Sequence, residues 1–457
     1  MRTSSTIWSS SSKRRRPRSK PRSATRRPPN RPRPPLLEPV RVSRTLQPVR
    51  GTQDLLPAAM RRHRAVVETA RLQALRFGYE EIATPIFEFT EVFKRPIGET
   101  TDIVMKEMYS FADKGGEEVT LRPENTAGVV RAVIANGLTQ SLPLRFFYQG
   151  PMFRYERPQK GRFRQFHQIG VELIGIKEPQ GDVEVIALGA EILRSLGVLD
   201  RVELQINTLG DAASRQTYRD ALVKYFTQHA SKLSEDSRAR LERNPLRILD
   251  SKDEGDRRVI EHAPEFFKYL NEESIKFFAS VGIGLQDLGI KYKENFRLVR
   301  GLDYYTHTAF EFVTTELGSQ GAVLAGGRYD GLMGVMGGPE TPGVGWAAGI
   351  ERLALMIAEP AGRPRPVALI PIGEAGEKRA LVLAQELRRA GFAVDLGYSG
   401  NLKKHMQRAN KANACAAVIL GEDELKRGVA AVRDLDAGTQ SEVPLAALKD
   451  RLAAFRG

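Results

Sequence analysis

Polar and apolar residues change rhythm along this chain, and each rhythm predicts a different element. Residues 58–77 carry apolar side chains at helical spacing with few breakers. Residues 79–89 read as a strand with Pro85 at its centre, which argues for an edge or an interface because proline donates nothing to a ladder. Strands are also predicted over 118–122, 144–155, 165–174 and 202–207, with helices over 126–136 and 183–196. The segments 144–155 and 165–174 pair as a hairpin with a long basic loop. Residues 211–282 read as helical, then strands return over 296–305 and 309–313. Residues 321–324 lead into a glycine-rich turn over 326–330, and 343–347 run into a helix over 348–357.

Past Arg363-Pro364-Arg365-Pro366 the pattern becomes alternation: strand 367–371, helix 377–390, strand 393–395, helix 401–413, strand 416–420. That predicts a small α/β domain with a parallel sheet. The hairpins and helices before it predict an antiparallel-sheet α+β domain. The expected organisation is an extension over 1–45, a core over 46–363 with a helical insertion at about 211–282, and a C-terminal domain over 364–457.

Composition narrows the class. The 457 residues are 41% apolar, enough for packed cores, yet no run approaches ~18 apolar residues, so no membrane helix is expected. One cysteine, Cys415, excludes an internal disulfide and a multi-cysteine zinc site and fits a reducing compartment. The six histidines show no metal-ligand spacing. The net charge of +15 invites a nucleic-acid reading. Its distribution qualifies that: residues 1–37 hold twelve Lys or Arg, no acid and seven prolines, whereas residues 38–363 net −1 and residues 364–457 net +4. The extension buries too little apolar surface to order itself, and reads as an RNA-touching tail, a targeting peptide or a misassigned start. The core cannot rest on bulk electrostatics.

Five clusters carry candidate chemistry. In Phe153-Arg154-Tyr155-Glu156, with Arg162 and Phe166, guanidinium groups suit phosphate or carboxylate and an aromatic face suits a purine; alone, it equally describes a solvated hairpin tip. Gly343, Gly345 and Gly349 precede Arg352 at a helix start, but the spacing is wrong for a dinucleotide fingerprint. In Arg300-Gly301-Leu302-Asp303-Tyr304-Tyr305, adjacent tyrosines on a strand end would point to opposite faces. In Arg122-Pro123-Glu124-Asn125-Thr126, Thr126 reads most simply as an N-cap and Glu124 as an exposed acid. Finally, period two puts Phe166, Gln168, Gly170 and Glu172 on one strand face, a polar face that suggests a lined cavity.

In this order the clusters resemble the signature motifs of class II aminoacyl-tRNA synthetases. Ala83-Thr84-Pro85 is similar to motif 1, the dimer-interface strand; 153–166 to motif 2; 343–353 to motif 3. Arg50-Gly51-Thr52-Gln53-Asp54, residues 154–172, residues 300–305 and Ala325-Gly326-Gly327-Arg328-Tyr329-Asp330 resemble the histidyl-tRNA synthetase family, over roughly 46–457. The resemblance implies a cytoplasmic homodimer that makes histidyl-adenylate from L-histidine and ATP with Mg²⁺, then charges tRNA(His). It implies that Arg154 grips the α-phosphate and the amino-acid carboxylate and that Arg300 faces that phosphate from the other side, both as catalytic groups. Glu156, Arg162, Phe166 and Arg352 would hold the rest of ATP. Glu124, Thr126 and Gln168 would hold the substrate amino group, and Glu172, Tyr304 and Tyr305 would read the imidazole. An acid and a phenol can pair both ring nitrogens, and such a site rejects apolar analogues by ~10⁴–10⁵-fold. No protein metal ligand is identified.

The C-terminal domain resembles an anticodon-binding module. Lys404, Arg408 and Lys411 share one face of the helix over 401–413 and would meet the tRNA backbone. Asn125 stands where the family more often has Gly, beside the proposed contacts. The alternative, a synthetase-like regulatory subunit, is disfavoured because all four arginines and the C-terminal domain are present.

Overall fold

The computed structural model describes residues 46–98, 101–298, 302, 304–318 and 321–455; the basic extension and Arg300 lie outside the described residues. An eight-stranded sheet organises the core in the order β1-β5-β6-β11-β10-β9-β7-β8. Its strands are β1 Glu80–Glu81, β5 Leu144–Phe153, β6 Gln165–Ile174, β7 Glu203–Thr208, β8 Lys293–Glu294, β9 Thr306–Val313, β10 Ala322–Arg328 and β11 Gly343–Gly349. The interior pairs are antiparallel, and both edge pairs, β1 with β5 and β7 with β8, are parallel. β5 and β6 pair without a slip from Leu144↔Ile174 to Phe153↔Gln165, so the intervening loop hangs from a rigid ten-residue hairpin.

Strand alternation gives this sheet two different faces. One buries Ile169, Val171 and Leu173 of β6 and Val344, Trp346 and Ala348 of β11 under the helices Pro57–Arg76, Pro179–Ser195, Glu272–Asp287 and Ile350–Met356. The Trp346 indole donates to Val185 O at 2.9 Å, so its one polar atom is satisfied. The other face carries Tyr148, Met152 and Ile174, with Tyr304, Tyr305 and Tyr329, against the helix Thr126–Ala135.

The strand expected over 79–89 is split between two sheets. Glu80–Glu81 joins the large sheet, whereas β2 Phe87–Phe89 joins a small one, in the order β2-β4-β3 with β4 Glu118–Leu121 and β3 Tyr109–Ala112. Between them the Arg122 guanidinium takes Thr84 O (3.0 Å) and Pro85 O (3.5 Å), replacing a ladder that Pro85 cannot join. The strand expected over 296–305 is not seen among its described residues: Leu298 N closes a turn on Asn295 O, and β9 begins only at Thr306. The glycines expected in a turn over 326–330 lie inside β10, paired on both sides. There the buried Arg328 is ion-paired with the buried Asp182.

Within the insertion, the helices Ala212–Gln228, Glu235–Arg243 and Glu254–Ile260 surround a core of Tyr218, Leu222, Phe226, Leu233 and Ile248. Asp211, Ser234 and Asp253 cap them with their own side chains. The helix Glu272–Asp287 instead packs Phe278, Val281 and Leu285 into the main core.

The third sheet runs β13-β12-β14-β15-β16, with β12 Val367–Pro371, β13 Val394–Leu396, β14 Ala416–Leu420, β15 Val429–Asp434 and β16 Gln440–Pro444. The first three strands are parallel, as expected; the last two are antiparallel additions. Among the described residues no helix is long and apolar enough to cross a membrane.

Candidate active site

A cavity of ≈ 360 Å³ opens between the β5–β6 hairpin, the start of the helix Thr126–Ala135 and the β11–helix junction. Ten of the residues singled out from sequence line it: Glu124, Thr126, Arg154, Glu156, Arg162, Phe166, Gln168, Tyr304, Tyr305 and Arg352.

The hairpin supplies the basic end. Arg154 follows directly on β5, its N–H closing on Arg164 O and its Nε donating to Pro123 O at 2.8 Å. Its guanidinium lies 5.4 Å from the centroid of the Phe166 ring. Arg162 is ion-paired with the buried Glu156 across the loop. Arg352 comes from the helix Ile350–Met356 and donates to Ala322 O. Burial lowers the basicity of both Arg162 and Arg352. Three cations crowd one end of a half-closed cavity, so an anion entering it meets a strong, poorly screened field. Glu107, which sequence reasoning missed, sits near two of them; burial raises its pKa while Arg154 and Arg162 pull it down.

The opposite end is buried and polar. Glu124 accepts from Thr126 N (2.6 Å) and Ala127 N (3.0 Å), so it, and not Thr126, caps the helix. Far from being an exposed acid, it is buried; burial raises its pKa and the two N–H bonds oppose that. Thr126 Oγ1 instead donates to Glu172 Oε1 at 2.7 Å. Asn125 adopts an ordinary φ of −122°, and its Oδ1 accepts from Thr84 Oγ1 at 2.6 Å.

Glu172 stands one layer behind the cavity wall, fully buried, with Tyr329 Oη donating to Oε2 at 2.5 Å. Burial pushes its carboxyl up to about 8, against hydrogen bonds from Tyr329 and Thr126 that hold it down. Gly345 sits opposite it on β11, and a Cβ there would collide with the carboxylate. Gly170 makes the same room for the Tyr148 ring.

Both Tyr304 and Tyr305 face the cavity, contrary to the alternation expected of a strand, because they precede β9. Arg215 of the insertion holds this segment by donating to Tyr305 O at 2.8 Å. Two buried atoms here have no hydrogen-bond partner among the described residues: Tyr148 Oη and Gln168 Oε1. Such orphans are costly unless a ligand satisfies them. Tyr148 was missed from sequence; its place one strand over from Gly170 is its only signal.

Two of the six histidines that spacing kept apart converge here. His63 and His167 both approach the Glu351 carboxylate, with Nε2–Oε1 3.6 Å and Nδ1–Oε1 2.8 Å.

On the C-terminal domain, Lys404, Arg408 and Lys411 lie exposed on the helix Leu402–Lys411. Arg408 is already bound to Asp395 through two hydrogen bonds (2.7 and 3.1 Å), so its charge is largely offset.

Residues 51–353 match the family model for histidyl-tRNA synthetase, and residues 366–454 match that for an anticodon-binding domain. The chain is 61% identical over 411 residues to a histidine–tRNA ligase of Rhodospirillum rubrum, covering 90% of this chain and 99% of that one. It is 56% identical over 413 residues to one from Gluconacetobacter diazotrophicus, covering 90% and 100%. Among solved structures, apo histidyl-tRNA synthetase from S. aureus superposes with a TM-score of 0.76 at 36% identity, covering 89% of this chain and 99% of that one. A Bacillus halodurans structure described as an ATP phosphoribosyltransferase regulatory subunit/histidyl-tRNA synthetase shares the fold at 23% identity and a TM-score of 0.58, covering 82% and 98%.

Proposed function

Since the chain belongs to the histidyl-tRNA synthetase family, we propose that it activates L-histidine with ATP and transfers the histidyl group to the 3′-terminal adenosine of tRNA(His). The observation that carries this reading is the polarity of one cavity: three guanidinium groups at one end, buried acids and phenols at the other.

The phosphates of ATP enter the basic end. Arg154 and Arg300 flank the α-phosphate, Arg162 and Arg352 take the outer phosphates, and adenine lies against Phe166 with Glu156 beside it. Phosphoryl-type chemistry of this kind needs positioning and charge stabilisation more than bond-making by the protein. The attacking histidine carboxylate is drawn to Arg154, while Glu124, Thr126 and Gln168 receive the ammonium group. Tyr304 and Tyr305 read the imidazole directly. Glu172 acts through the wall, where its raised pKa keeps it protonated near neutrality and its partners Tyr329 and Thr126 fix the pocket floor.

Mg²⁺ fits as an ion carried by the triphosphate. Each carboxylate among the described lining residues is already engaged: Glu124 by helix N–H groups, Glu156 by Arg162, Glu351 by His167. When bound with the triphosphate, it would offset the phosphate charge. The exposed Lys404 and Lys411 meet the tRNA backbone. A second copy of the chain covers the exposed apolar side chains Ile86, Phe87, Phe89 and Phe111 beside the small sheet. The work of such an enzyme lies in the cytoplasm.

ATP–pyrophosphate exchange with each of the twenty amino acids tests the reading. Exchange with histidine alone is expected; none with histidine, or broad exchange with others, would overturn it.

A further inference from the structure

His63 belongs to none of the cavity's motifs. It sits in the helix Pro57–Arg76 with its side chain only 7% exposed, and its Nε2 aims at Glu351 Oε1. That nitrogen has no hydrogen-bond partner among the described residues at its present 3.6 Å. Glu351 is equally buried and is held more tightly by His167: the His167 N–H reaches both carboxylate oxygens (3.1 and 2.9 Å), and Nδ1 lies 2.8 Å from Oε1. The two imidazoles meet edge to face, with centroids 4.7 Å apart and planes at 87°.

The sequence neighbours of these residues are cavity walls. His167 lies between Phe166 and Gln168, and Glu351 immediately precedes Arg352. The carboxylate therefore joins three elements: one end of β6, the first turn of the helix Ile350–Met356, and the long helix behind both. Burial pushes the Glu351 carboxyl up, but its contacts with His167 and His63 outweigh this and hold it at about 2. It is therefore a permanent buried anion, and such an anion is costly to leave with a missing donor.

We propose that His63 is a positioning residue: with His167 it clamps the Glu351 carboxylate, and the clamp sets Arg352 and Phe166 at the spacing a bound nucleotide requires. This rests on the reading of the basic end as the ATP site. Two imidazole nitrogens and a carboxylate oxygen, all within 4.8 Å, are also a donor set for a divalent metal. The 2.8 Å contact and the backbone N–H on the same carboxylate favour hydrogen bonding.

The test is pyrophosphate exchange with ATP and histidine varied separately in wild type, His63→Ala, His63→Gln and Gln73→Ala. His63→Ala should raise the ATP KM about tenfold, the order expected when a polar ring 3.6 Å from a buried carboxylate is removed, with the histidine KM within about twofold. His63→Gln, whose amide can donate from the same place, should recover most of it. Gln73→Ala removes a different contact of the same helix, Gln73 Nε2 to Ser195 Oγ at 2.8 Å, and should lower the melting temperature without moving the ATP KM. Hydrogen–deuterium exchange of the Ile350–Met356 amides should be faster in His63→Ala and restored in His63→Gln. An unchanged ATP KM with unchanged amide exchange overturns the proposal. So does an equal KM rise in Gln73→Ala, or Co²⁺ uptake by wild type that His63→Ala abolishes. If wild type itself shows no histidine-dependent exchange, the ATP-site reading fails, and the amide exchange alone decides the clamp.

Discussion

On β6, residues one position apart live in different chemical worlds. Ile169, Val171 and Leu173 point to the helices and are fully buried among other aliphatic side chains. Phe166, Gln168, Gly170 and Glu172 point the other way, toward phenols, a second carboxylate and open space. The helix face is filled, and filled aliphatic packing is where stability comes from. The cavity face does the reverse: glycines make room, polar atoms stay unpaired, and an acid is buried at the expense of its charge. Such a face can persist only because the opposite face of the same strands is so well packed. Stability and chemistry are divided by the pleat, residue by residue, and not by domain.

If that division holds, substitutions on the two faces should have opposite signatures. The largest effect belongs to the cavity. Arg154→Ala should cut histidine-dependent pyrophosphate exchange by about 10²–10³-fold, since it removes donors aimed at developing charge. The same is expected of Arg300→Ala. The melting temperature of Arg154→Ala should hardly move, because Arg154 lines the cavity and not the helix-side core. An Arg154→Ala protein that melts well below wild type would show that the cavity face also carries the fold.

Next comes the other side of the strand. Leu173→Ala, at a position with no exposure, should cost about 2–5 kcal/mol of stability through lost burial and a residual cavity. Its exchange activity at 25 °C should stay near wild type, measured alongside a denaturant titration. A large loss of kcat in this variant, with the protein still folded, would mean that the helix face sets cavity geometry as well.

The division itself was legible in the sequence, because period two is a property of one strand. Residues 165–174 form β6 with the bounds their pattern predicts, and the polar face was readable from Gln168 and Glu172. What a single element cannot encode is its partner. The strand over 79–89 looked continuous because nothing nearby reveals that Arg122 will capture the carbonyls around Pro85. Tyr304 and Tyr305 share a cavity because they lie ahead of β9, which starts at Thr306, and not on the end of the strand expected over 296–305. Glu172 was placed on the correct face, yet its carboxylate is withheld by Tyr329, a hydroxyl far along the chain. Arg408 reads as a free cation until Asp395, from the neighbouring strand β13, meets it. The His63–Glu351–His167 cluster draws on three elements and left no spacing to find.

The finest test lies where the two faces meet, in the proton on Glu172. Its carboxyl ordinarily titrates at 4.5 and in the fold at about 8, raised chiefly by burial. The folded chain therefore holds a proton that the unfolded chain releases across that window. The associated stability is fully present below about 4.5, declines as pH rises, and is gone above about 8. Glu172→Gln mimics the protonated acid in size and hydrogen-bonding capacity but cannot ionise, so it lacks this term. Melting temperatures of wild type and Glu172→Gln, taken from pH 5 to 8.5, should diverge, with wild type losing ground to the variant as pH rises. Parallel curves would mean that the acid is already ionised at neutrality and held by its partners as an anion. The wall of the cavity would then carry a fixed negative charge behind Tyr329 and Thr126, and the imidazole would be read by that charge and not by the phenols alone.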